Sequence, residues 1–540
     1  MAAAQFAYPK QKQGRGGPSM QTISVRRTLA QLARQPLYWA GLAALLALGY
    51  AYAMGTSAVG VDDLAIATYQ QGGGFLRQSR ITEWLVQALT GLLAYQRFWP
   101  EFWAAVCLAL AGTGLAAVVY TAAARTPTAG GALLLAGGGL LFPFHAEAFA
   151  YSNLCITGLG MLLAVAALAA GWPFVAGGRR TAAAPAACVL LALSVGCYES
   201  LAQVWLALLF VLLLTLAAFA PRRSVGAFWW LPAALRGVLL LAAALVVRGA
   251  LAGALRLALG VTGADGAAAR TIYWGQRGGL LPALQIFVRE FLGCYGTLAL
   301  AVPAIALLDL ACAALIVWAA VRRHGNGCGL LAAALIAAQF SMGILQGTGS
   351  QMARASQCFA VFVPYVLWLV LAAARPRRVL AGAVAALLLG AESFSLNATF
   401  AADRARWQYE RGLLADTAAA LDALDPGGAL PVVFSGTVTL PDAVSGRLPA
   451  QHPAYKAAWV LSVTLGAPMG DLYAHEEVNK SVINWAQSAF GTHAQMYLLM
   501  DEIGRPCAQP TADQQAAGDA LAAGLSPGVS AQDGYLLVVF

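Results

Sequence analysis

The sequence predicts an all-α polytopic membrane protein of about eleven transmembrane helices, closed by a small C-terminal α/β domain outside the membrane. Three observations carry this. Of 540 residues, 60% are hydrophobic and only 11% charged, whereas a soluble domain carries roughly a quarter charged residues. Apolar runs of spanning length recur as far as residue 397, and mean hydropathy is +0.68. From residue 398 the composition turns sharply polar.

A span needs about 20 largely apolar residues. Candidate runs begin near residues 37, 103, 131, 153, 184, 201, 230, 295, 329, 358 and 379. This divides the chain into a cytoplasmic N-terminal segment (1–36), a transmembrane domain (37–397) with a first outer loop at 55–100, and an extracytoplasmic tail (398–540). Ala51-Tyr52-Ala53 imitates a cleavage site, but the long polar stretch before the first run fits a retained signal-anchor.

The net charge of +9 is spread as short basic clusters between apolar runs, a topology signal rather than a nucleic-acid face. Lys10, Lys12, Arg15, Arg26, Arg27 and Arg34 precede the first span. Arg125, Arg179-Arg180, Arg222-Arg223, Arg322-Arg323 and Arg375, Arg377 and Arg378 follow later ones. All fall on one side if residues 81–98 do not cross, and the positive-inside rule makes that side the cytoplasm. Segment 84–95 is therefore expected to lie at the outer interface as an amphipathic helix.

In the tail, Phe400, Trp407, Leu414 and Leu421 recur every seven residues, which predicts an amphipathic helix. Pro431 to Gly436 and Gly534 to Phe540 read as short buried strands. The nine cysteines include no C-x-x-C pair or Cys/His cluster, which speaks against a zinc site or a disulfide framework. No repeat of 20–50 residues is present.

Polar residues collect at the outer ends of the runs. The first outer loop carries Asp62-Asp63, Gly72-Gly73-Gly74, Arg77 and Arg80. Later outer turns read Phe142-Pro143-Phe144-His145-Ala146-Glu147, then Tyr198-Glu199-Ser200, then Gln346 through Gln351 to Arg354. Charges at membrane depth are costly and are usually partnered or functional. Acids and arginines at similar depth on separate segments point to one shared polar pocket. Plainer readings stand beside this one. Asp62 and Asp63 can cap the helix that follows. Glu147 and Glu199 can be solvated turn residues, and Arg80 can snorkel toward headgroups. His145 reads as an interfacial histidine and Gly72–Gly74 as a hinge. Arg248, Arg256, Arg270 and Arg277 run against the positive-inside pattern, which fits either lipid-phosphate binding or a different loop boundary.

An N-terminal span, an outer loop with an acidic pair and an arginine opening an interfacial helix together resemble the GT-C class of membrane glycosyltransferases. More narrowly, the chain resembles the GtrII-type O-antigen glucosyltransferase family of bacteria. The carrying segments are Asp62-Asp63, Arg80-Ile81-Thr82-Glu83-Trp84-Leu85, Phe149-Ala150-Tyr151, Tyr198-Glu199-Ser200 and Phe394-Ser395 through Arg411. The chain departs where the family commonly has Tyr-Gln, at Tyr198-Glu199, and where it often has an acid after the Tyr151 position, at Asn153-Leu154.

The resemblance implies a GT-C-like enzyme of the bacterial inner (plasma) membrane, with the C-terminal domain periplasmic. The implied donor is a polyprenyl-phosphate-linked sugar, glucose by default, and the acceptor an envelope glycan such as the O-antigen of lipopolysaccharide. Such a transfer needs a carboxylate to take the acceptor's proton and a cation to hold the departing phosphate. The implied base is Asp62 or Asp63, with Arg80 and Arg354 on the phosphate. Glu147, Tyr198, Glu199 and Gln351 fall to the sugar. One displacement inverts the anomeric centre. The scheme requires no cofactor, although an acidic pair can bind Mg²⁺ or Mn²⁺. Its partners are membrane lipids, donor and glycan, with no nucleic acid. A transporter or flippase of lipid-linked sugars is the competing class, and it would place polar residues near mid-membrane. A non-catalytic envelope-assembly protein is a third.

Overall fold

A computed structural model of the chain describes residues 25–56, 58, 73–91, 98–149, 152–177, 183–219, 228–262, 279–286, 314, 328–346, 356–374, 377–441, 481–486 and 494–540. These residues are mostly helical. Short α1 (Val25–Ala33) leads into α2 (Pro36–Gly55), and the first outer loop ends in α3 (Gly74–Arg77) and α4 (Ile81–Thr90). The bundle continues with α5 (Trp99–Ala122), α6 (Ala129–Leu140), α7 (His145–Phe149) and α8 (Ile156–Val175). Then come α9 (Ala183–Cys197), α10 (Leu201–Phe219), α11 (Leu231–Ala258), α12 (Cys328–Ala338), α13 (Ser341–Gln346) and α14 (Phe359–Ala374). The last bundle helix is α15 (Arg378–Leu424).

Six of these, α2, α5, α8, α10, α11 and α15, are long and apolar enough to cross a membrane, and α6, α9, α12 and α14 are shorter apolar helices. Each candidate run coincides with one of them except the run near 295, which lies outside the described residues. α4 is different. Its ten residues reach only about 15 Å, half of a hydrocarbon core of about 30 Å. Gly91, at φ 62°, stops it. Ile81 and Thr82 are buried, with the Thr82 hydroxyl donating to Leu193 O at 2.7 Å, while Leu85 and Leu89 are exposed. It is an amphipathic segment laid against α9.

In an apolar solvent, helices associate through close packing and interhelical hydrogen bonds rather than through water exclusion. Both devices are present. A Cβ at Gly158 would sit 2.5 Å from Ala104 O, and one at Gly112 2.7 Å from Ala136 Cα. Glycine is what lets α5 approach α8 and α6. Tyr38 and Thr113 hydroxyls meet at 2.6 Å, Thr28 and Thr121 at 2.8 Å, and Thr215 and Tyr365 at 2.9 Å. The indole of Trp205 donates to Gly237 O at 3.1 Å, joining α10 to α11.

The heptad set of the tail belongs to α15, a continuous helix of 47 residues and about 70 Å. Phe400, Trp407, Leu414 and Leu421 are all buried, continuing a stripe begun by Leu388, Glu392 and Leu396. The compositional boundary at 397/398 therefore falls inside one helix. Side chains answer to surroundings, while the backbone ladder needs no break where those surroundings change.

Beyond it, β1 (Val432–Ser435) pairs parallel with β3 (Tyr535–Val539), and β2 (Gly528–Gln532) pairs antiparallel with β3, giving sheet order β1-β3-β2. The first and third match the two expected strands. Helices α16 (Val482–Ala486), α17 (Ala494–Glu502) and α18 (Ala512–Ala522) accompany the sheet. A capping box between Thr511 and Gln514 opens α18. Trp407, Leu414 and Leu421 share a core with Phe434, Met496, Leu536 and Val538, and that core reaches Ala148 and Leu154 in the turns of the bundle. The tail thus packs onto the end of the bundle that carries α7.

Candidate functional site

The described polar cluster is built at the mouth of α4. Gly73, at φ 69°, opens α3, and a Cβ there would lie 2.7 Å from Val261 Cγ1. Ser79 then takes φ 59°, a left-handed conformation that costs an L-residue roughly 1–2 kcal/mol. Its reward is orientation. The carbonyls of Gln78 and Ser79 point at α11, where Arg248 donates to them at 3.0 and 2.8 Å. The next residue is Arg80.

Arg80 and Arg248 converge on Glu199. One carboxylate oxygen lies 2.6 Å from Arg248 Nη2 and the other 3.4 Å from Arg80 Nε. Arg80 Nη1 is also 3.4 Å from Glu83 Oε2, and its guanidinium stacks over the Tyr198 ring at 4.8 Å. Glu83 and Glu199 each set a carboxylate against these guanidiniums. Glu83 is wholly buried, whereas Glu199 is 29% exposed against 17% and 12% for the arginines. Guanidiniums fixed on two sides of one oxyanion form a geometry that suits a carboxylate or a phosphate alike.

Of the residues expected at a shared pocket, Arg80, Tyr198 and Glu199 are brought into direct contact. Glu147 lies in α7. Asp62, Asp63, Gln351 and Arg354 lie outside the described residues. His145 is buried within the protein, with Nε2 donating to Gly139 O at 2.9 Å. Burial pulls its pKa down to about 4, so the ring is neutral at pH 7.

Three further features stand out. Arg248, singled out in the sequence for its place against the positive-inside pattern, stands as the second cation of the cluster, and Glu83 as its buried counter-charge. Glu392, on the inward stripe of α15, is fully buried, and neither carboxylate oxygen has a hydrogen-bond partner among the described residues. It lies by α6 and α14: a Cβ at Gly138 would be 3.6 Å from Glu392 Oε2 and 2.7 Å from Pro364 Cβ. Glu392 is the one charged residue between Arg378 and Asp403, which is the signal that would have found it. Near the α10–α14 contact, the Gln357 side chain is also buried without a hydrogen-bond partner. A cavity of about 20 Å³ among Leu108, Gly112, Met161, Val165, Leu208 and Val361 is apolar and offers no chemistry.

No family model, curated protein or solved structure matches the chain. Among the described residues no group of three His, Cys, Asp or Glu side chains is gathered as a metal site requires.

Beyond the bundle, Arg406 is 1% exposed and lies between two acids of α15. It reaches Asp403 Oδ1 at 2.9 Å and Glu410 Oε2 at 2.6 Å. Glu410 Oε1 accepts from Ser481 Oγ at 2.6 Å and from Ile483 N at 3.2 Å. This triad joins the helix to the tail.

Proposed function

We propose that the chain is a membrane glycosyltransferase of GT-C-like, GtrII-type architecture with about eleven spans. It moves a sugar, glucose first among the candidates, from a polyprenyl-phosphate carrier to an envelope glycan such as O-antigen, on the periplasmic face of a bacterial inner membrane. The tail is the small periplasmic α/β domain. The observation that carries this reading is the contact of Arg80 with Tyr198 and Glu199, joined by Arg248. Segments far apart in sequence supply cations, an acid and an aromatic ring at one end of an apolar bundle, as a lipid-phosphate sugar requires. Arg80, with Arg354, takes the donor phosphate as charge develops on it. Asp62 or Asp63 removes the acceptor proton. Glu147, Tyr198, Glu199 and Gln351 orient the sugar. The reaction calls for no metal, although Asp62-Asp63 could bind one.

The test uses membranes supplied with radiolabelled polyprenyl-phosphate glucose and the native envelope glycan. Transfer should fall by about 10²-fold or more in Asp62→Asn or Asp63→Asn. Normal transfer by both single variants and by the double variant, at wild-type protein levels, would sink the base assignment.

One observation favours the second reading, a flippase or transporter of lipid-linked sugars. Glu392 is a buried acid without a hydrogen-bond partner among the described residues, inside a helix apolar enough to span, and such acids mark ion and proton pathways. A flippase predicts that Glu392→Gln abolishes transmembrane movement of a fluorescent polyprenyl-phosphate sugar in proteoliposomes. A transferase predicts that the same variant keeps sugar transfer.

A further inference from the structure

We propose that Arg80 and Arg248 form a single oxyanion site whose resident occupant is the protein's own Glu199, and that a lipid phosphate binds by displacing this carboxylate. The inference rests on the reading of Arg80 as a phosphate residue and adds to it the second cation and an internal competitor.

Three observations point this way. Glu199 presents one oxygen to each guanidinium, at 2.6 and 3.4 Å, as two oxygens of a phosphate would. The arginines are held independently of it. Arg248 is held by the Gln78 and Ser79 carbonyls, and Arg80 by buried Glu83 and the Tyr198 ring. Glu199 is the most exposed of the four charged side chains and lies in the turn just before α10 rather than within a helix. It is the group that can leave.

Charge gives the same answer. Glu199 brings one negative charge to the two guanidiniums, and when it swings out that one charge is withdrawn. A sugar joined to a polyprenyl phosphate is a phosphodiester carrying one negative charge, so it replaces the lost carboxylate without leaving a surplus. A neutral lipid cannot make this exchange. The displaced Glu199 carboxylate is then free beside the arriving sugar, where it can accept hydrogen bonds from hydroxyl groups.

The test is equilibrium binding of farnesyl methyl phosphate, a phosphodiester with one negative charge, to the full-length chain in detergent, with farnesol as the control for the lipid tail. Glu199→Gln keeps the shape and removes the competing charge, and should bind the phosphodiester about tenfold more tightly than wild type. Glu199→Asp, too short to bridge both guanidiniums, should move the same way by less. Arg248→Gln should lose most phosphate-dependent binding, while farnesol affinity stays constant throughout. Unchanged or weaker phosphate binding by both Glu199 variants overturns the proposal, as does a parallel change in farnesol affinity. The outcomes separate cleanly from the transferase reading. Tighter binding without any sugar transfer in membranes removes the transferase and keeps the oxyanion site. Transfer without tighter binding removes only the competitor.

Discussion

Replacing Arg406 with Met tests whether the triad on α15 holds the tail in place. The guanidinium is nearly inaccessible and serves Asp403 and Glu410 together. Taking one partner out of a buried ion pair costs about 3–5 kcal/mol, because the remaining charge stays desolvated. Glu410 would keep its bonds from Ser481 and Ile483, which puts the expected loss near the lower end, about 3 kcal/mol. Since 1.4 kcal/mol is a factor of ten, local opening should become roughly a hundredfold more frequent. Hydrogen–deuterium exchange of the full-length chain reads this as lost protection in residues 481–486. The loss should shrink on acidification. Burial holds the Asp403 carboxyl above its ordinary value and Arg406 pulls it back. A raised folded-state pKa favours the folded state at low pH, and that advantage is lost as pH rises through it. Without Arg406 the penalty is therefore greatest at neutral pH and eases once Asp403 is protonated. Wild-type protection at pH 7.5, or an equal loss at pH 5, would refute the reasoning.

Two further perturbations follow from the bundle. His145 has a depressed folded-state pKa, so its contribution is complete above about pH 6.5 and is lost as pH falls toward 4; 2.5 pK units correspond to about 3 kcal/mol. Thermal unfolding from pH 8 to 4 should show an acid-side loss that His145→Gln lacks, and identical profiles would remove this role. Gly158→Val drives a side chain into the backbone of Ala104 and should cost about 1–3 kcal/mol or more. Gly253→Ala, with nothing within 4 Å of the new Cβ, should leave the size-exclusion profile unchanged.

Legibility varied with how local the signal was. The positions of apolar runs, the heptad of Phe400, Trp407, Leu414 and Leu421, and the apolar strands ending at Gly436 and Phe540 are written in residue order, and each within the described residues appears as an element. β2 escaped because Gly528–Gln532 is a half-exposed edge with no apolar run, although Asp533-Gly534 is a hairpin signal. The meeting of Arg80 with Tyr198 and Glu199 was legible only as polar residues at similar depth. Which groups pair is a tertiary matter. Arg248 reads in the sequence as a breach of the positive-inside pattern, which fits lipid-phosphate binding or a different loop boundary. In the fold Glu199 and the Gln78 and Ser79 carbonyls surround it, so its charge is met inside the protein and need not report on the side of the membrane.

The unbroken course of α15 has a mechanical consequence. Its first half is apolar like the bundle and its second half forms the spine of the tail, with helical residues running without interruption from one to the other. A rod of this kind cannot change tilt at one end alone. Bilayer thickness, to which apolar helices adjust in part by tilting, would therefore be felt at Trp407 and Leu414, and through them at the turns around α7. Lipid chain length becomes a lever on the mouth of the bundle.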